Sequence, residues 1–125
     1  MDSEQAAKAA CGAFLIVAFA DAHYADAEEA RFLATVANRP EMRAIETETL
    51  QAAYNALVRD FSADYAAAAA RVLELIGSVK DDAETTEIVK VAARSAIVAD
   101  EKLMPQEEAA LDHVALALGL EKGDV

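Results

Sequence analysis

Apolar residues recur along this chain at steps of three and four, the period of a helix and not of a strand. The block at residues 9–20, AACGAFLIVAFA, carries no charge and is apolar on every side, which predicts a helix packed from several directions. Ser3 reads as its N-cap, with Glu4 in the first turn and an end near Asp21. A second helix opens at Asp26, where Glu29 completes a capping box. Phe32, Leu33 and Val36 are its inward stripe, and the Arg39-Pro40 step stops it. A third covers residues 46–59, with Leu50, Tyr54, Leu57 and Val58 at helical spacing. Ser62 or Asp64 caps a fourth, running to about Gly77. Its alanine run at 66–70 admits a neighbouring helix closely, and Val72, Leu73, Leu75 and Ile76 add bulk. Asp81 or Asp82 caps a fifth, which ends near Asp100 and turns Ile88, Val89, Val91, Ala92, Ala96 and Ile97 inward. Pro105 suits the first position of a sixth, with Leu111, Val114, Ala115 and Leu118 as its stripe. Gly119 is placed for a left-handed C-cap. No strand pattern survives, so the expected fold is all-α: one compact domain over residues 1–125, of six or seven helices.

Composition sharpens this. Apolar residues make up 55 % of the 125, much of that alanine, and four Gly and two Pro leave few turn-makers. The formal charge of −12, from 11 basic and 23 acidic residues, repels nucleic acid and anionic lipid. Neither is an expected partner. The acids are scattered among apolar residues, so they mark a solvated surface and not a disordered tail. The single cysteine, Cys11, excludes an internal disulfide and a cysteine metal knuckle. The opening MDSEQAAK is acidic where a signal peptide is basic. The uncharged run at 9–20 falls short of the roughly 20 residues that a spanning helix needs. The expectation is a soluble cytoplasmic protein with no membrane insertion.

An internal repeat carries the candidate chemistry. The stretches AFADAHYADAEEARFL (residues 18–33) and IVADEKLMPQEEAALD (residues 97–112) align at a shift of 79 positions. Ala20-Asp21 falls on Ala99-Asp100, Glu28-Glu29-Ala30 on Glu107-Glu108-Ala109, and Phe32 on Leu111. Each copy reads as apolar helix, Asp, loop, Glu seven residues on, then helix. Two pseudo-repeated helical hairpins are expected, at roughly 9–38 and 88–120, around a pseudo-twofold axis.

Helix, alanine-aspartate, a short loop and an acidic helix start resemble the signature of the TerB-like family, named for tellurite resistance protein B. The likeness lies in Ala20-Asp21-Ala22-His23-Tyr24 with Glu28, in Ala99-Asp100-Glu101-Lys102-Leu103 with Glu107, and in the closing ALALGL at 115–120. It spans almost the whole chain. Ala22 and Glu101 stand where the family has glycine. The resemblance implies a non-enzymatic protein associated with tellurite resistance and stress response, and it raises metal binding through the hairpin carboxylates.

Those carboxylates have more than one reading. Asp21 and Asp100 sit against the negative end of one helix dipole but face the positive start of the next. As clasps, they would accept from the free N–H groups at that start, with Glu28 and Glu107 in the favoured first turn. As ligands, Asp21, Glu28, Asp100 and Glu107 would form an all-oxygen set suited to a hard cation, Ca2+ or Mg2+, with Asp26, Glu29 and Glu108 in reserve. The loop is too short for an EF-hand and lacks its alternating acids. As an acidic patch, they would recruit another protein. A sensor or buffer of Ca2+ or Mg2+ is thus the alternative to an interaction module.

Other residues read more simply. His23 is a loop histidine, and His113 shares a helix with Asp112 and has no catalytic partner in view. Cys11 reads as a small core residue. Tyr24 and Leu103 hold equivalent places and plug the loops into the core. Arg31, Arg71 and Arg94 belong to the surface or to ion pairs. There is no Ser-His-Asp order, phosphate-binding glycine loop or HExxH, so no enzymatic activity is expected.

Overall fold

The computed structural model describes residues 3–20, 45–96 and 105–121. They form five helices: α1 (Ser3–Ala18), α2 (Thr47–Ala63), α3 (Tyr65–Val79), α4 (Ala83–Ser95) and α5 (Pro105–Ala117). The described part is all-α. The expected helix at 26–39 lies outside the described residues.

The uncharged block at 9–20 becomes the axis of the molecule. Helix α1 packs against all four others, most extensively against α4. Every residue from Ala9 to Ala18 is buried, Phe14, Leu15 and Val17 completely. A helix apolar all round has no face to give to water, so the remaining helices surround it. Its smallest residue marks a close approach. A Cβ placed on Gly12 would stand 2.6 and 2.8 Å from the two Cγ atoms of Val72 on α3. Within the alanine run at 66–70, Ala68 is buried and Ala69 packs against the core, whereas Ala66 and Ala70 are exposed.

The helix ends follow local chemistry. Asp64 is the whole connection between α2 and α3. Its extended backbone (φ −160°) breaks the helix, its N–H donates to the Asp60 carbonyl, and its side chain accepts from the Ala67 N–H at 3.2 Å. The third predicted helix therefore runs four residues past Arg59, and Asp64, not Ser62, caps the next. Asp82, not Asp81, caps α4. One of its carboxylate oxygens accepts from the N–H groups of Glu84 and Thr85, at 3.1 and 3.2 Å. Pro105 opens α5 as expected. Gly119 has φ +77°, and the N–H groups of Gly119 and Leu120 donate to the carbonyls of Leu116 and Ala115. That is the paired closure of a Schellman motif.

Candidate functional site

Of the four repeat carboxylates, Glu107 is among the described residues; Asp21, Glu28 and Asp100 lie outside them. Glu107 occupies the first turn of α5, where free N–H groups and the helix dipole favour a negative charge. It shares the inward face with Ala110 and Val114 and is only 3 % exposed. A carboxylate so far from water needs donors or a cation around it, and Glu107 does not lack an interaction. Its neighbour Glu108 is exposed. The second copy thus puts one glutamate inside and the next outside, and Glu107 belongs to no exposed acidic patch. Among the described residues, no group of three or more His, Cys, Asp or Glu side chains is arranged to hold a metal.

The end of α1, from which the chain runs on to Asp21, is held by α2 and α3. The Tyr65 hydroxyl donates to the Ile16 carbonyl at 2.8 Å, one of the last four carbonyls of a helix, which have no partner within it. Partial burial raises the Tyr65 hydroxyl above its ordinary pKa, so it stays a donor. Phe19 stacks on Phe61 with ring centroids 5.7 Å apart, and Phe61 meets Tyr65 at 5.6 Å. This latch was not read from the sequence. Its signal was a tyrosine directly after the Asp64 cap, but its partner is 49 residues away.

A groove of about 440 Å³ runs between α3 and α5, with Ile16 and Ala20 at the end of α1 contributing to it. Its walls include Ala69 and Leu73 on one side and Ala109 and His113 on the other. His113 is exposed there. Cys11 is fully buried, and its thiol donates to the Leu50 carbonyl at 3.6 Å. Burial pushes that thiol far above its ordinary value of 9.0, which keeps it protonated and unreactive. This fits the core role expected for it. Arg71 and Arg94 are both exposed.

A helical bundle built around one buried helix, with a carboxylate drawn into the first turn of α5, defines the class. The family follows from comparison: a family model described as tellurite resistance protein TerB matches residues 7–125. The chain belongs to the TerB family. Comparison with curated proteins gave no match, and comparison with solved structures gave none. Among the described residues, no helix is long and apolar enough to cross a membrane.

Proposed function

We propose that this TerB-family chain acts without catalysis, as a cytoplasmic stress-response module that presents an acidic surface to a partner protein. One observation carries the proposal: every described Asp and Glu except Glu107 reaches solvent, in a chain of net charge −12. Such a surface accelerates encounter with basic partners and rejects acidic ones. The chain is read as one domain, 1–125, with hairpins at roughly 9–38 and 88–120. The extensive packing of α1 on α4, the first helices of the two hairpins, supports that pairing. The test is growth on tellurite of a bacterium lacking its own tellurite resistance. Expression of the chain should raise the tolerated concentration, and Glu-to-Gln changes at exposed positions should reduce the gain. No gain from the unaltered chain overturns the reading.

Burial of Glu107 favours a second reading, in which Glu107 joins Asp21, Glu28 and Asp100 around Ca2+ or Mg2+. Millimolar Ca2+ or Mg2+ should then raise the melting temperature, and Asp21→Asn with Asp100→Asn should abolish the rise. An unchanged melting temperature sinks a tight site.

A further inference from the structure

Among the described residues, two large hydrophobic side chains are left exposed, Tyr65 at 37 % and Leu116 at 52 %. Tyr65 stands on α3 and Leu116 on α5. Tyr65 lines the groove, and Leu116 follows its lining residue His113 by three positions, on the same side of α5. Between them lie alanines, which let another backbone approach. We propose that this groove docks a basic amphipathic helix of a partner protein; the proposal rests on reading the chain as an acidic interaction module. The lined stretches, residues 65–73 and 106–113, are each about two helical turns, or roughly 12 Å. That length suits the apolar residues of a docked helix at i, i+4 and i+7.

Charge selects the occupant. Among the described residues, no Asp, Glu, Lys or Arg lines the groove. Acids stand beside it: Glu74 one turn past Ala70 on α3, and Asp112 one turn before Leu116 on α5, both reaching solvent. Arg71 lines a different cleft, with Lys8 and Asp60. Lysines or arginines flanking a partner's apolar stripe would therefore meet carboxylates. A second copy of the chain would bring its own −12, and like charge opposes that pairing.

The experiment uses the full chain and a synthetic helix with leucine on one face and lysine on the other, beside a twin in which glutamate replaces lysine. Amide shifts on adding the lysine helix should map to α3 and α5. Leu116→Ser with Ala109→Gln, both at exposed positions, should weaken binding roughly tenfold at unchanged net charge. Glu74→Gln with Asp112→Asn should weaken it more than Glu84→Gln with Glu87→Gln, which removes equal charge from α4. The glutamate twin should not bind. Unchanged affinity in the groove variant, equal losses in the two charge variants, or equal binding of the twin each overturn the proposal. So does a dimer in sedimentation that Leu116→Ser dissolves, because the occupant is then a second copy. Shifts confined to another acidic face overturn the groove but leave the acidic-module reading standing. Absence of any binding sinks both.

Discussion

Single residues decide how tightly α1 can be surrounded. At Gly12, alanine would gain up to about 1 kcal/mol in helix propensity. Its Cβ would collide with Val72, whose branched side chain has one favoured helical rotamer and cannot swing away. Overpacking costs about 1–3 kcal/mol, so Gly12→Ala should destabilise in urea unfolding, and Val72→Ala in the same chain should recover part of the loss. A more stable Gly12→Ala would show that the two helices separate freely. Cys11 gives a pH signature. Below pH 9 both folded and unfolded chains keep the thiol proton; above it the unfolded chain loses the proton and the native one keeps it. Stability should therefore fall as pH rises past about 9, by at most about 1.4 kcal/mol per unit from this group. In Cys11→Ala that onset should shift toward the tyrosine range, and an unmoved onset counts against the buried thiol. The core place of Cys11 was legible from its apolar helix, but the tight fit at Gly12 was not, because a glycine in an alanine-rich helix shows nothing until a neighbour is placed against it.

At the scale of elements, the ends were legible because they are local. A carboxylate accepting from N–H groups two and three residues ahead needs nothing from the rest of the fold, and Asp64, Asp82, Pro105 and Gly119 all act at or within one residue of a predicted boundary. The choices between Ser62 and Asp64, and between Asp81 and Asp82, were open because polar residues one or two positions apart compete for one role. Asp82→Ala should cost about 1–2 kcal/mol, since two N–H groups lose their acceptor. Asp64→Ala, which releases one, should cost less in the same thermal melts. Equal and negligible losses would mean water replaces both caps. The Tyr65 latch is the opposite case. Tyr65→Phe should cost about 1 kcal/mol by freeing the Ile16 carbonyl, with the ring contacts retained. No local pattern announced it, because hydroxyl and carbonyl belong to helices that meet only in three dimensions.

Across the whole molecule, the net charge of −12 sets self-repulsion against compactness. Raising NaCl from low to moderate ionic strength should therefore raise the melting temperature, and a fall would show that local ion pairs outweigh the net repulsion. The sequence by itself determined the helical class, most helix starts, the excess of acidic residues and the likeness to the TerB family. These follow from periodicity, capping and composition, which act over a few residues or over none in particular. Tertiary structure decided that the uncharged helix packs against all the other described helices, that Val72 of α3 closes on Gly12, and that α3 and α5 leave an apolar groove with acids beside it. It also separated the adjacent glutamates of the second repeat, drawing Glu107 inside and leaving Glu108 in water. Both occupy the same favoured first turn, and helical phase against the packed core is what sends them to opposite environments.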